Sequence, residues 1–210
     1  MKRIFDFILS VCGILLSSPF WIIIAWGIWL NDLGSVFYFQ ERVGKDGNIF
    51  KSIQFRSMVK DAENSLGPIQ AKERDPRITK LGRIFRATAM DELPQLLNIA
   101  MGQMSFVGPR ALRPIEIDSD DSQPRSIWEF KGAKERSIIK PGLTGVAQVL
   151  LPRDAPREQK FQYDIWYTKN QTFALDLYLI LISFVITFCG KWGAHRNKIE
   201  ALTKRISFDP

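Results

Sequence analysis

No charged side chain occurs between Asp6 and Asp32, and the segment FILSVCGILLSSPFWIIIAWGIWLN between them is long enough to cross a hydrocarbon core of about 30 Å as a helix. Trp21, Trp26, Trp29 and an isoleucine run follow its midpoint, where a cleaved leader would carry a short apolar core and small residues, so the segment is expected to be retained. Pro19 removes one backbone hydrogen bond and bends the helix, while Ser17 and Ser18 can satisfy the carbonyls it frees. A kinked helix can still cross, or it can turn back and leave by the face it entered. Lys2 and Arg3 precede the segment, and Arg42, Lys45, Lys51 and Arg56 follow it, so both flanks favour the cytoplasmic side. That balance favours a re-entrant helical hairpin over residues 1–34, with an ordinary kinked spanning helix as the alternative.

A second apolar run, FALDLYLILISFVITFC from Phe173 to Cys189, is interrupted early by Asp176 and is short for a crossing. It predicts an interfacial helix over about 173–192, anchored by Lys191 and Trp192, or equally a buried core helix. Between the two runs, VFYFQERV and IFKSIQFRSM flank Gly44-Lys45-Asp46-Gly47-Asn48, and two β-rich runs around an Asp-Gly pair predict a hairpin. Residues 61–70 look helical up to a break at Gly67-Pro68, and Asp118 to Arg125 has the composition of a surface loop. The fold class expected is α+β, mainly helical with a small β-hairpin. Residues 35–210 would form one cytoplasmic domain carrying the interfacial helices.

The chain has 210 residues, 46% of them hydrophobic and 24% charged, enough apolar content for a packed core. A net charge of +7 suits an anionic partner, whether nucleic acid, lipid head group or phosphorylated substrate. A nucleic-acid binder is poorly supported, because a membrane segment is present and no nucleic-acid motif is recognised. The single histidine, His195, sits near the C-terminus, so a mechanism built on a His pair, a Ser-His-Asp triad or a His-rich zinc site is nearly excluded and acid-base work falls to carboxylates. Cys12 and Cys189 lie in apolar runs and do not suggest a disulfide framework.

Arg74, Arg77, Lys80, Arg83 and Arg86 recur every third residue, which on a helix makes a basic band: a phosphate or head-group surface, or simply a solvated face. Asp91-Glu92-Leu93-Pro94 reads as a helix start, with Asp91 as N-cap and Pro94 in the first turn. The positive end of the helix would keep Asp91 ionised at neutral pH, as a nucleophile toward phosphorus, a metal ligand, or only a cap. Two glycine turns add cations: Ser105-Phe106-Val107-Gly108-Pro109-Arg110, read as the end of a helix, and Lys140-Pro141-Gly142-Leu143-Thr144-Gly145.

The ordered set DPRIT (75–79), LGR (81–83), Arg86, DELPQLLN (91–98), GQMSFVGPR (102–110) and KPGLTGVAQ (140–148) closely resembles the bacterial sugar transferases, the monotopic phosphoglycosyl transferases. The likeness starts at Lys2-Arg3 and the Ser18-Pro19 helix and reaches Asp164-Ile165-Trp166-Tyr167 and Asp176-Leu177. It implies transfer of a sugar 1-phosphate from a UDP-sugar to a polyprenyl (undecaprenyl) phosphate at the cytoplasmic face of the bacterial inner membrane, with release of UMP. By the same resemblance Asp91 is the nucleophile and forms a covalent phosphosugar intermediate. Glu92 beside it serves Mg2+ and proton handling, and Asp91 and Glu92 together are the metal ligands. Arg86, Arg110, Lys140, Arg153 and Asp164 fall in the implied substrate-binding set. Departures are Gln54 where the family usually has a cation, Ala111 where it has proline, and Pro152-Arg153-Asp154 in place of Gly-Arg-Asn. These imply weaker phosphate or head-group contact at Gln54 and a different sugar at the 149–157 loop. The different-class alternative is a membrane-anchored, non-catalytic anion-binding protein.

Overall fold

A computed structural model describes residues 1–60, 62, 75–116, 124–152 and 155–189. The expected helix at 61–70 except Ala62, most of the 118–125 loop, Arg74, Arg153, Lys191, Trp192 and His195 lie outside the described residues.

The uncharged N-terminal segment forms one helix, α1 (Lys2–Asp32), with Pro19 inside it. Ser17 and Ser18 donate to the carbonyls of Gly13 and Leu15, and the Trp21 indole N–H donates to Ser17 Oγ, so the serines beside the proline do satisfy nearby carbonyls. Mean hydropathy reaches 2.3, and α1 is the one helix among the described residues long and apolar enough to cross a membrane. At 1.5 Å per residue, 31 residues extend about 46 Å.

Both ends of α1 are fastened to the rest of the chain. At the start, Arg3 donates to the carbonyls of Ile99 and Ala100, and Asp6, buried, accepts from Ser105 Oγ and Phe106 N. Lys2 pairs with the buried Asp176, which also accepts from the Tyr167 hydroxyl. At the far end, Ile24 and Ile28 pack with Phe55 and Phe85, and Asp32 pairs with Arg56. Between these anchors α1 shows apolar side chains to the outside, among them Leu16, Ile22, Ile23 and Trp26.

The hairpin is present as β1 (Phe37–Val43) and β2 (Ile49–Phe55), antiparallel with Val43 opposite Ile49 and Phe37 opposite Phe55. Asp46 and Gly47 both have positive φ, 54° and 82°, which is why Asp-Gly suits this turn. Helix α2 (Lys80–Ala87) is capped by Thr79 Oγ1, which accepts from Gly82 N. Arg77 therefore precedes the helix, held by Asp75, and the anticipated band reduces to exposed Lys80 and Arg83 with half-buried Arg86. Gly82 is required by contact, since a Cβ there would sit 1.9 Å from the Ser57 carbonyl oxygen.

Helix α3 (Gln95–Met101) ends at Gly102 with φ 84°. Asn98, fully buried, donates to Lys51 O and accepts from Ile53 N, tying α3 to β2. The stretch read as the end of a helix is instead a strand, β3 (Ser105–Val107), because α3 has already stopped at Gly102. After β4 (Ile115–Glu116), β5 (Arg125–Ser126) and the short helix α4 (Ala133–Arg136), strand β6 (Gly142–Thr144) pairs parallel to β3. The two glycine turns thus meet backbone to backbone: a Cβ on Gly142 would fall 2.1 Å from Gly108 N.

Helices α5 (Val146–Leu150), α6 (Arg157–Asn170) and α7 (Phe173–Cys189) complete the body. Helix α7 buries Leu179 and Ile186 against Val107, Val146, Val149 and Tyr167, and leaves Leu177, Leu181, Phe184 and Val185 exposed. It is neither wholly core nor wholly free. The observed class is α+β and mainly helical, with the expected antiparallel pair and, among the described residues, two further small strand pairs.

Candidate active site

The acidic pair sits on a 3-10 turn, Met90–Glu92, between α2 and α3. The anticipated cap is corrected here: the caps are Ala89 for the turn and Pro94 for α3, and Asp91 is neither. Ala89 is left-handed at φ 54°, an uncommon conformation for a residue with a Cβ, and it swings the chain so that both acids follow directly. Burial, then the Glu92 charge, push the Asp91 carboxyl up to about 6, while Arg86 and Arg110 pull it back. The sequence argument from the helix end had the opposite sign. At pH 7 most Asp91 side chains are nonetheless ionised.

Two arginines converge on the pair. Arg110, half-exposed, donates from Nη2 to Glu92 Oε1 at 3.0 Å. Arg86 has the charges of Asp91, Asp75 and Glu92 as its acidic neighbours, and its Nε donates to Ser57 Oγ at 2.8 Å. Ser57 is buried, and its carbonyl accepts from Thr79 N, so one residue links β2, the α2 cap and Arg86. Nothing in the sequence pattern distinguished Ser57 from its neighbours; only the fold places it.

Arg110 follows β3 and bridges to Gly142 on the β6 side. The chain around it is held at successive residues: Gly108 N donates to Thr144 O, and the Arg110, Ala111 and Leu112 carbonyls accept from Arg136, Arg42 and Val43 N. The other two described members of the implied substrate set stand elsewhere. The charged neighbours of Lys140 are Arg3, Asp6 and Lys45, near the start of α1, where burial lowers its pKa. Asp164 is buried in α6 against Arg136, with the Arg136 Nη2 to Asp164 Oδ2 distance 2.8 Å. Its carboxyl is raised by burial and lowered in part by that arginine. The structure therefore assembles Asp91, Glu92, Arg86 and Arg110, and leaves Lys140 and Asp164 outside that cluster.

The carboxylates suit a hard divalent cation. Mg2+ binds through one or two carboxylates together with water and substrate phosphates, and a relieved repulsion between Asp91 and Glu92 would favour it. No cluster of three or more metal-binding His, Cys, Asp or Glu side chains occurs among the described residues.

Comparisons with known proteins agree with the motifs. Residues 1–190 match the model of the family described as bacterial sugar transferase. Over 195 residues the chain is 37% identical to a UDP-glucose:undecaprenyl-phosphate glucose-1-phosphate transferase of Klebsiella pneumoniae, covering 90% of this chain and 40% of that protein. It is 34% identical to an undecaprenyl-phosphate galactose phosphotransferase of Salmonella typhimurium, covering 86% and 39%. With the exopolysaccharide production protein ExoY of Sinorhizobium fredii the identity is 31%, covering 92% of this chain and 88% of that one. The chain thus spans about two fifths of the first two relatives and most of the third. A family match across nine tenths of the sequence shows that this chain belongs to the bacterial sugar transferase family.

Proposed function

We propose that the chain transfers a sugar 1-phosphate from a UDP-sugar to undecaprenyl or a similar polyprenyl phosphate, at the cytoplasmic face of a bacterial inner membrane. This would be the first membrane step of a glycoconjugate or exopolysaccharide pathway. The observation that carries the reading is the half-buried Asp91, flanked by Glu92 and faced by Arg86 and Arg110. A carboxylate approaches a diphosphate only if cations neutralise the phosphate oxygens, and two arginines supply that here. A bound Mg2+, held by Asp91 and Glu92, would add charge neutralisation of the diphosphate.

In the first half-reaction a carboxylate oxygen of Asp91 forms a bond to the phosphorus bearing the sugar. The phosphoanhydride bond breaks, and its electron pair leaves with UMP. In the second, an oxygen of the polyprenyl phosphate attacks the same phosphorus and the Asp91 carboxylate departs, giving the polyprenyl diphosphate sugar. Both displacements use one site in turn, so a soluble donor and a lipid acceptor need not be bound together, and ping-pong kinetics are expected.

The membrane part of the reading rests on α1. Its two ends are fastened to one body, through Arg3 and Asp6 at the start and Ile24, Ile28 and Asp32 at the end, which supports a re-entrant segment over a span, although α1 is one helix with Pro19 inside it and not a pair of helices. The exposed apolar faces of α1 and α7 would both enter the bilayer. Cysteines introduced at the exposed Ile4 and Ser35 should then both react with a membrane-impermeant maleimide from the cytoplasmic side. Labelling of the two from opposite sides would show a span.

The non-catalytic alternative makes Asp91 a helix cap, and the structure gives both cap positions to other residues. Purified protein with MgCl2, undecaprenyl phosphate and a panel of UDP-glucose, UDP-galactose and UDP-N-acetylgalactosamine should release UMP. Asp91→Asn should abolish it. Retained turnover in that variant would remove Asp91 as nucleophile.

A further inference from the structure

Arg136 and Asp164 form an ion pair with both side chains about 4% exposed, one on α4 and the other on α6. Such a pair is a poor device for stability, since desolvating two charges offsets most of their attraction. The bonding shows a different use. Arg136 Nε donates to Asp164 Oδ2 at 2.9 Å, and Nη2, also 2.8 Å from Oδ2, donates at 2.6 Å to the backbone carbonyl of Arg110. The guanidinium also lies over the Phe161 ring, 4.6 Å from its centroid. Its plane is therefore set by the ring, its charge by Asp164, and its outward N–H by Arg110.

Resting on the active-site reading above, we propose that Arg136, oriented by Asp164, is a positioning residue for Arg110: it fixes the Arg110 peptide and thereby aims the Arg110 guanidinium at Glu92 and the substrate phosphates. The neighbouring carbonyls of Ala111 and Leu112 are held by Arg42 and Val43, so the segment as a whole is secured by the hairpin. Arg136 is the side chain that grips residue 110 itself. Asp164 then influences the reaction from a buried position without touching substrate, which differs from a place in the substrate-binding set.

The double variant Arg136→Met/Asp164→Leu keeps volume and removes both buried charges, so it should fold, with a melting temperature close to that of the parent. Arg136→Lys is the second route: it keeps a cation for Asp164, but an ammonium on a flexible stem lacks the planar fork that lies over the Phe161 ring, so Asp164 and the Arg110 carbonyl are no longer held in one fixed plane. Steady-state kinetics with undecaprenyl phosphate, MgCl2 and the fastest donor among UDP-glucose, UDP-galactose and UDP-N-acetylgalactosamine should show kcat/KM reduced about tenfold in both. Arg110→Ala should lose at least as much. The decisive reading is the combination: Arg136→Lys/Arg110→Ala should be no worse than Arg110→Ala within about threefold, because the grip has nothing left to aim.

Multiplicative losses in the combined variant would overturn the proposal and make Arg136 a structural residue only. Parental kcat/KM in Arg136→Lys would overturn it as well. If Arg110→Ala itself is harmless, the role given to Arg110 and this proposal both fall. If the parent releases no UMP from any of the three donors, the failure belongs to the proposed function.

Discussion

Replacing the nucleophile should make the metal-free protein more stable. Folding carries Asp91 from an ordinary carboxyl, at 3.8, into a site where burial and Glu92 raise it to about 6. A group whose pKa rises on folding opposes folding wherever it is ionised. For this difference the cost approaches a ceiling of about 3 kcal/mol above pH 7. Asparagine keeps the shape and removes the charge. At roughly 2–4 °C per kcal/mol for a chain of this size, the ceiling is a gain of about 6–12 °C, and partial solvent contact brings the expected rise in Asp91→Asn to about 4 °C or more.

The sign has a distinct pH signature. Between about pH 4 and 6 the native carboxyl holds a proton that the unfolded chain has lost, so the parent gains stability as pH falls through that window while the variant does not. The advantage of Asp91→Asn should be full at pH 8 and gone near pH 4. The assay is thermal unfolding in detergent, with EDTA, followed by the fluorescence of the six tryptophans. Excess MgCl2 should raise the parent and leave the variant nearly unmoved, since a ligand that prefers the native dyad stabilises only the protein that binds it. A variant no more stable than the parent at pH 8 in EDTA would refute the burial and repulsion assigned to Asp91.

Other substitutions test the frame around the site. Asn98→Ala leaves Lys51 O and Ile53 N buried without their partner and should cost about 2–4 kcal/mol, read from denaturant or thermal unfolding. Gly82→Ala forces α2 away from the Ser57 carbonyl, and because α2 carries Arg86, turnover should fall together with stability. The Asp75 carboxyl is held below its ordinary value by the hydrogen bond from Arg77, so its contribution is present above the unfolded pKa and is lost as pH falls through the native one. Asp75→Asn should therefore melt below the parent at pH 7, with the gap closing in acid.

The parts legible in the sequence are those written in local pattern. The uncharged run gives α1, and the two β-rich runs around Asp46-Gly47 give the hairpin, whose register only the structure supplies. Strands β3 and β6 have three residues each, too few to show a period, and they exist because Ser105 and Val107 find Gly142 and Thr144 far along the chain. The same limit misplaced the chemistry. A helix-end argument is local and set the Asp91 carboxyl too low, whereas burial, which raises it, is a property of the assembled fold. Asp164 carried a motif charge, but its partner Arg136 lies 28 residues earlier on another helix. The pairing of Arg86 with Ser57 and of Arg110 with Glu92 likewise needed the fold to bring separate segments together.

The most direct test is to catch the chain in mid-reaction. Purified protein mixed with MgCl2 and a UDP-sugar labelled in the sugar-bearing phosphate, without polyprenyl phosphate, should release one UMP per active site. Rapid acid quench and peptide mass analysis should then find the labelled sugar phosphate on the peptide containing Asp91, and added undecaprenyl phosphate should discharge it. An active preparation that releases UMP only when the lipid is present, and never carries label on Asp91, would contradict the covalent role given to that residue.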